Sequence, residues 1–212
     1  MNTCYIIGAG DVFTVDFCAD ETDFVICADG GYEHRALLKK QPDIVMGDFD
    51  SLGFVPDGCE RLVFPSKKDE SDMLLCVDKG FEKGYKSFVI LGGLGGERMD
   101  HSVANIQLLK YIAQKGGIGF LLHQKNIFTC VHNCTVEFSS SAKGYISVFS
   151  LSDESHGVTI RNLAYETDNV TITDSVSVGL SNEFIGKKSS ISVKQGSILI
   201  CWKDKLSDCL NI

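Results

Sequence analysis

The sequence predicts an α/β protein: a Rossmann-like parallel-sheet domain at the N-terminus, followed by an antiparallel β-sandwich at the C-terminus. Helical patterns alternate with apolar strand candidates up to about residue 115, which favours a parallel sheet covered on both faces. Short β-rich runs bounded by turn residues fill the remainder. Composition changes too, since all three prolines fall in the first third and fifteen of the twenty serines lie from Ser139 onward. We therefore expect domains over residues 1–128 and 129–212.

The first part supplies buried strands and amphipathic helices. The strand candidates are Cys4–Ile7, Phe24–Ala28, Asp43–Met46, Leu62–Phe64, Phe88–Leu91 and Gly119–Leu122. The helix candidates are Gly31–Lys40, Ser71–Lys83 and His101–Gln114. Apolar residues three and four apart form the expected helix faces: Leu74, Val77 and Phe81 in the second helix, and Val103, Ile106, Leu108, Leu109 and Ile112 in the third.

The second part reads as a series of antiparallel strands. The runs are NIFTCV, CTVEF, YISVFSL, GVTI, NVTIT, SSISV and SILIC. Cys130, His132 and Cys134 alternate in this part and suggest a metal site. Only three ligands are visible where zinc usually takes four, so we favour the alternative of buried thiols and a turn histidine.

The composition is that of a globular protein, with 44% hydrophobic and 23% charged residues in a chain of 212. No stretch approaches the roughly 20 apolar residues of a membrane-spanning helix. A formal charge of −8 disfavours nucleic-acid binding, so an anionic substrate such as a nucleotide would arrive with a divalent cation. The N-terminal residues lack a secretion signal and the nine cysteines contain no CxxC pair, so we expect a cytoplasmic location.

Two aspartates directly follow an apolar strand. Asp48 and Asp50 stand in the run GDFDS at 47–51, and ligands of open parallel sheets bind beyond the carboxyl ends of the strands. Alternate residues of an extended chain point to the same side, and two close carboxylates repel each other unless a cation relieves them. Carboxylates combined with substrate phosphates are the usual ligands of Mg²⁺. The run indicates a magnesium site, although a polar turn with solvated aspartates has the same pattern.

A second acidic run, KKDESD at 67–72, opens the second helix candidate. Asp69 or Ser71 can cap that helix, and acidic residues suit the positive end of its dipole. In the functional interpretation, Asp69 and Asp72 add cation ligands and Lys68 contacts a phosphate. Both interpretations stay open.

A third run, Leu91–His101, passes from an apolar strand through four glycines into a helix. Glycine backbone N–H groups and a helix N-terminus both favour a bound anion. Arg98 can clamp phosphate oxygens because its planar fork matches them, whereas Asp100 can act as a helix cap. His101 and Asn105 share a helix face, where they line a site or form a satisfied core pair.

Two more glycine turns follow strands. Gly8 and Gly10 lie in the run IIGAG but lack the third glycine of a dinucleotide motif, and Asp29 and Gly30 lie in ADGG at 28–31. Either turn can be purely structural. Together, however, five strand ends present glycine or aspartate, which is what a nucleotide site spread over a parallel sheet requires.

This set of motifs resembles the thiamine pyrophosphokinase (thiamine diphosphokinase) family. The resemblance is carried by ADGG at 28–31, PDIVMGDFDS at 42–51, KDESDM at 68–73, GGERMDHSVANIQLL at 95–109 and GLSNEF at 179–184. It spans nearly the whole chain, in order and at family-like spacing. The combination of Asp-Phe-Asp-Ser with Asp-His-x-x-Ala-Asn is specific to the family.

The resemblance implies an enzyme that transfers pyrophosphate from Mg-ATP to the thiamine hydroxyl, giving thiamine diphosphate and AMP. It also implies a homodimer with active sites between subunits, in which the first domain binds ATP and Mg²⁺ and the second binds thiamine and dimerises. It assigns metal binding to Asp48, Asp50, Asp69 and Asp72; catalysis to Asp50, Asp72 and Asp100; and substrate or nucleotide binding to Asp29, Gly30, Ser51, Lys68, Arg98, His101, Asn105, Ser181 and Asn182.

Some points stay open within this resemblance. Asp72 and Asp100 are both candidates to accept the hydroxyl proton. Glu97 adds a residue to the glycine loop, and Trp202 is a candidate for the aromatic contact with thiamine. Two other functions remain as alternatives: a dinucleotide-dependent oxidoreductase, suggested by IIGAG, and a non-catalytic sensor of thiamine or nucleotide.

Overall fold

The computed structural model describes residues 2–49, 59–65, 69–203 and 205–211. They form two compact units, one of Met1–Leu108 with Leu121–Gln124 and the other of Leu109–Phe120 with Lys125–Ile212. None of the helices in the described ranges has the length and apolar character needed to span a bilayer. The predicted domain boundary near residue 128 stays a prediction.

A parallel sheet forms the first unit, as predicted. Its strands are β1 (Thr3–Ile7), β2 (Phe24–Ala28), β3 (Ile44–Gly47), β4 (Glu60–Val63) and β5 (Ser87–Leu91). They lie in the order β4-β3-β2-β1-β5, and every adjacent pair is parallel. Because the strands run the same way, their carboxyl ends meet at one edge, where polar loops follow them.

Helix α1 (Asp72–Glu82) packs on β1, β2 and β3. Ser71 caps it, since its hydroxyl oxygen accepts a hydrogen bond from the Leu74 N–H at 3.2 Å. The buried face consists of Met73, Cys76, Val77 and Gly80. The face is therefore rotated from the predicted one, and only Val77 is shared with it.

Helix α2 (Met99–Gln114) and strand β6 (Ile118–His123) each contribute residues to both units. The predicted apolar stripe of α2 is correct at Leu108, Leu109 and Ile112, which are buried. It is wrong at Val103, which is 58% exposed.

The predicted helix over Gly31–Lys40 is instead a 3₁₀ helix, Asp29–His34, followed by turns. Tyr32 and Leu38 are the buried side chains of this segment. Two isolated apolar anchors do not make the continuous stripe that stabilises an α-helix by packing.

The second unit contains the predicted antiparallel sheets. One runs β7-β14-β9-β12, comprising β7 (Asn126–His132), β14 (Ser197–Lys203), β9 (Tyr145–Ser150) and β12 (Gly179–Glu183). The other runs β11-β10-β13-β8-β15, comprising β11 (Thr167–Thr173), β10 (Glu154–Arg161), β13 (Ser189–Ser192), β8 (Thr135–Phe138) and β15 (Cys209–Asn211). Alternating buried positions along β8 and β9 give each strand one core face.

Candidate functional site

A cavity of about 750 Å³ opens in the first unit where the parallel strands end. Residues that follow β1, β2, β3 and β5 line it, together with the first turns of α1 and α2. Its volume falls within the range of roughly 300–1,000 Å³ that small-molecule sites occupy. The strand ends that the sequence predicts to lie together therefore line a cavity in the structure.

Most of the predicted nucleotide and metal residues line this cavity. They are Asp29, Asp48, Asp69, Asp72, Arg98, Asp100, His101 and Asn105. Gly30 lies in the adjoining 3₁₀ helix and is not part of the lining. Asp50, Ser51 and Lys68 lie outside the described residues.

The cavity wall is strongly acidic. Its carboxylates belong to Asp29, Asp48, Asp69, Glu70, Asp72, Glu97 and Asp100. Among the described lining residues, the guanidinium of Arg98 is the single permanently charged cation that opposes them. A concave site lined by one sign of charge concentrates ions of the opposite sign, so the wall attracts cations.

The donor atoms of this wall fit a magnesium ion, because Mg²⁺ prefers carboxylate oxygens together with phosphate oxygens and water. Within the described ranges, however, no three carboxylate, imidazole or thiol groups are gathered closely enough to hold an ion by themselves. Asp48, Asp69 and Asp72 thus share one cavity without forming a closed ligand set. This suits an ion that takes several of its ligands from a bound substrate.

Two glycine turns interlock at the floor of the cavity. The N–H of Gly10 donates to the Gly92 oxygen at 2.8 Å, and the N–H of Asp11 donates to the Leu94 oxygen at 3.0 Å. A Cβ on Gly10 would lie 2.7 Å from the Gly92 oxygen, and one on Gly92 would overlap the Gly8 oxygen. The two turns can therefore approach each other only without side chains at these positions.

Arg98 and Asp100 form a bidentate ion pair at the exposed end of the cavity. Arg98 Nε donates to Asp100 Oδ1 at 3.2 Å, and Arg98 Nη2 donates to Oδ2 at 2.6 Å. This hydrogen bonding lowers the pKa of the Asp100 carboxyl below its ordinary value and raises that of the Arg98 guanidinium. Asp100 is therefore a pairing partner of Arg98, a role that the capping interpretation of the sequence did not include.

Asn105 and Ser102 tie helix α2 to the glycine turn. Asn105 Nδ2 donates to the Gly93 oxygen at 2.7 Å, and the Gly95 N–H donates to Ser102 Oγ at 3.1 Å. The two side chains are 6% and 4% exposed. Sequence reasoning missed Ser102, although its position three residues before Asn105 places both on one helix face.

The second unit contains the two other predicted binding residues. Asn182 is buried, and its Oδ1 accepts the N–H groups of Tyr165 and Glu183 at 3.0 and 2.9 Å. Its Nδ2 donates to the Tyr165 oxygen at 2.7 Å. Ser181 is exposed and has a positive φ of 59°. Asn182 therefore acts on its own chain by fixing the backbone of Tyr165.

Tyr165 itself was missed in the sequence, because nothing in the local pattern separates it from a loop tyrosine. Its side chain is 71% exposed although its backbone is fixed at both N–H and C=O by Asn182. An exposed aromatic ring on a fixed backbone is able to stack on a ligand.

Trp202, by contrast, cannot contact a ligand in this fold, so its expected role against thiamine is wrong. The side chain is 1% exposed and packs edge-on against Phe138, with 5.3 Å between ring centroids. Its Nε1 donates to the Lys205 oxygen at 3.2 Å. The tryptophan is a core residue of the second unit.

The alternation of Cys130, His132 and Cys134 has a structural explanation. Both ring nitrogens of His132 have partners, Nδ1 with Ser197 Oγ at 2.9 Å and Nε2 with Asn133 Nδ2 at 3.0 Å. Cys130 is buried, and desolvation raises the pKa of its thiol to about 12. A neutral, inaccessible thiol and a histidine engaged at both nitrogens are poor metal ligands, which favours the alternative of buried thiols and a turn histidine.

Comparisons with known proteins agree with these features. The family models of the thiamin pyrophosphokinase catalytic domain and vitamin B1 binding domain match residues 16–119 and 132–198. A thiamine pyrophosphokinase of Bacillus subtilis strain 168 is 29% identical over 167 residues, covering 75% of this chain and 77% of the relative.

Solved structures of proteins described as thiamine pyrophosphokinases share the fold. The one from Bacillus subtilis has a TM-score of 0.81 at 24% identity and covers 97% of this chain and 100% of its own. The one from Geobacillus thermodenitrificans has a TM-score of 0.81 at 22% identity, covering 97% and 99%. The yeast protein has a TM-score of 0.73 at 14% identity, covering 98% and 87%.

Proposed function

The chain belongs to the thiamine pyrophosphokinase family, and from that premise we propose that it transfers the terminal pyrophosphoryl group of Mg-ATP to the hydroxyl of thiamine. The products are thiamine diphosphate and AMP. The observation that carries this proposal is the convergence of two interlocked glycine turns, Arg98 and a wall of carboxylates on one cavity. Transfer of a phosphoryl-type group asks a protein mainly for alignment and charge neutralisation, and these are the groups that supply both.

The bonding changes follow from the products. The thiamine hydroxyl oxygen attacks the β-phosphorus of ATP, and the bond from that phosphorus to the oxygen bridging to the α-phosphorus breaks. AMP leaves with the bridging oxygen, and the hydroxyl proton passes to a carboxylate. Asp72 and Asp100 both line the cavity and remain the two candidates for this acceptor.

Asp48, Asp69 and Asp72 are the described residues proposed to hold Mg²⁺, with Asp50 as a further ligand implied by the family motif. When bound, the ion neutralises negative charge on the phosphate oxygens. The carboxylates themselves keep the nucleotide from entering without its cation, since seven acidic side chains line the described wall.

Arg98 is proposed to contact the phosphates, and for this it must exchange partners. Its guanidinium is held by Asp100 through two hydrogen bonds. Phosphate oxygens make bidentate contacts of the same geometry and carry more charge, so they compete effectively for the same N–H groups. Once Arg98 has released it, the Asp100 carboxylate is a stronger proton acceptor, because the hydrogen bonds that lower its pKa are gone.

We propose that thiamine is held by residues of the second unit, around Ser181 and Tyr165, with Asn182 fixing the latter. A cationic ring is attracted both to an aromatic face and to nearby carboxylates, and thiamine carries a cationic thiazolium. The family resemblance draws Ser181 and Asn182 from a partner subunit, so the proposed functional form is a homodimer. We also propose a cytoplasmic location, which buried free thiols such as Cys27 and Cys130 suit.

The test is a product analysis with purified protein, ATP, Mg²⁺ and thiamine, with and without a chelator. Equal amounts of AMP and thiamine diphosphate, abolished by the chelator, are expected. Formation of ADP and thiamine monophosphate would show that a single phosphoryl group is transferred in place of pyrophosphate. Tight thiamine binding without any product would instead support the non-catalytic sensor.

A further inference from the structure

The glycine loop, residues 92–96, follows Leu91. The four successive carbonyl oxygens of residues 91–94 all accept hydrogen bonds from the protein. Three accept backbone N–H groups: Leu91 from Gly8 at 2.8 Å, Gly92 from Gly10 at 2.8 Å, and Leu94 from Asp11 at 3.0 Å. The remaining oxygen, that of Gly93, accepts the side-chain amide of Asn105 at 2.7 Å. The Asn105 side chain thus gives the Gly93 oxygen the kind of hydrogen bond that backbone N–H groups give to the other three.

This series matters for an anion. A carbonyl oxygen carries partial negative charge and repels phosphate, so a phosphate-binding loop presents N–H groups and keeps its carbonyl oxygens engaged elsewhere. The N–H and C=O of a trans peptide point in opposite directions. Fixing the Gly93 oxygen on Asn105 therefore also fixes the direction of the N–H group in the same peptide unit, that of Leu94.

Ser102 secures the next part of the loop from the same helix face. Its Oγ accepts the Gly95 N–H at 3.1 Å, where Gly95 has a positive φ of 77°. Ser102 and Asn105 are both buried in helix α2 although both side chains are polar. A buried polar group is costly unless it is hydrogen-bonded, and here the bonds go to the loop.

We propose that Ser102 and Asn105 are positioning residues that hold the glycine loop in the conformation that binds the phosphates of ATP. The inference rests on the proposed function. It makes the substrate or nucleotide binding expected of Asn105 an indirect role, exerted through the Gly93 carbonyl. It also gives Ser102 a role in nucleotide binding that the motif comparison did not include.

The experiment measures the Kd of MgATP by calorimetry and the KM values of MgATP and thiamine for wild type and variants of α2. Asn105→Ala is expected to raise the Kd and KM of MgATP about tenfold, because one hydrogen bond that orients a charged ligand's site is lost. The KM of thiamine is expected to stay within about twofold. Asn105→Asp is expected to be worse, because a carboxylate oxygen then faces the Gly93 oxygen.

Ser102 provides an independent pair of variants. Ser102→Ala removes the acceptor of the Gly95 N–H and is expected to raise the KM of MgATP several-fold. Ser102→Thr keeps the hydroxyl and is expected to have the wild-type KM of MgATP. Leu108→Val serves as the matched control, since Leu108 is buried in the same helix and is not among the residues that line the cavity. It is expected to lower Tm and leave the KM of MgATP unchanged.

The inference is overturned if Asn105→Ala and Ser102→Ala lower Tm as Leu108→Val does while the Kd of MgATP stays at the wild-type value. If the Asn105 variants do not fold, the Ser102 pair alone decides. If the wild-type protein binds MgATP without forming product, the proposed reaction is refuted. The comparison of Kd values for MgATP still tests the positioning role in that case. If the wild-type protein does not bind MgATP, both the proposed reaction and the positioning role are refuted.

Discussion

Arg98 and Asp100 stand two residues apart where the glycine loop enters helix α2, and their pairing raises the pKa of Arg98 and lowers that of Asp100. Both are exposed, so solvent screens the pair and it adds little to stability. Its consequence is chemical: the carboxylate of Asp100 is a weaker base while Arg98 holds it. Under the proposed function, the pair links phosphate binding by Arg98 to proton acceptance by Asp100.

Arg98→Ala is expected to raise the pKa of Asp100 toward its ordinary value, because the hydrogen bonds that lower it are removed. A lowered folded-state pKa contributes stability that is present above the ordinary carboxyl pKa and is lost as pH falls through the lowered one. Carbon-13 NMR titration of the Asp100 carboxyl in the free protein measures the shift. Arg161→Ala, which removes a comparable pair with Asp168, is the control and should leave Asp100 unchanged.

Asp48→Asn is expected to lower kcat by at least about 100-fold, because a preorganised charge at the reacting phosphates is lost while the side-chain shape is kept. The measurement is the initial rate of AMP formation across a range of Mg²⁺ concentrations, with Tm to verify folding. Asp153→Asn changes an exposed aspartate outside the cavity lining and should have no effect. Near-normal turnover of a folded Asp48→Asn protein would remove this residue from the metal site.

At the scale of elements, the two glycine turns after β1 and β5 form one unit of structure. Each carries backbone groups that the other satisfies, and neither position tolerates a side chain at the contact. Since β1 and β5 are adjacent parallel strands, their ends are brought together by the sheet itself. The turns therefore depend on the strand order, and the cavity floor depends on the turns.

Gly92→Ala is expected to cost more than about 2 kcal/mol, because an L-residue is strained at its φ of 62° and the new Cβ overlaps the Gly8 oxygen. Gly116→Ala is the matched control, with a φ of 72° and no atom within 4 Å of the added Cβ. It should cost only the backbone strain, about 1 kcal/mol. Urea unfolding measures both, and equal losses would show that the contact between the two turns contributes nothing.

For the whole molecule, the proposed reaction requires groups from both units. The cavity in the first unit supplies phosphate and metal chemistry, whereas the residues implied for thiamine, Ser181 and Asn182, lie in the second. Under the proposed homodimer, a complete site combines the first unit of one copy with the second unit of its partner. If each site is shared between two chains, a variant of the first unit and a variant of the second unit are expected to complement each other in a mixed dimer.

Co-expression of Asp48→Asn and Asn182→Ala chains is expected to restore about a quarter of wild-type activity, because half of the dimers are mixed and each mixed dimer has one intact site. Each variant alone should have low activity, and Asn182→Ala should raise the KM of thiamine more than that of ATP. Co-expression of Asp48→Asn with Asp72→Asn is the control, since both changes lie in the same cavity. Failure of the first mixture to regain activity would place each complete site within one chain.

The sequence by itself determined the fold class and predicted most of the charged residues that line the cavity. Strand and helix periods are local properties, and a parallel sheet gathers the residues after its strands at one edge. This is why the sequence predicts one site for Asp29, Asp48 and Asp72, which are far apart in the chain and line the same cavity.

Only the tertiary structure decided which face of each helix is buried and what each polar side chain bonds. The apolar pattern of α2 favours Val103 as a core residue, yet Ser102 and Asn105 are buried instead because the glycine loop offers them partners. Likewise, Asn182 is satisfied by Tyr165, 17 residues away. A side chain's hydrogen bonds depend on groups brought near by folding, and local sequence does not contain that information.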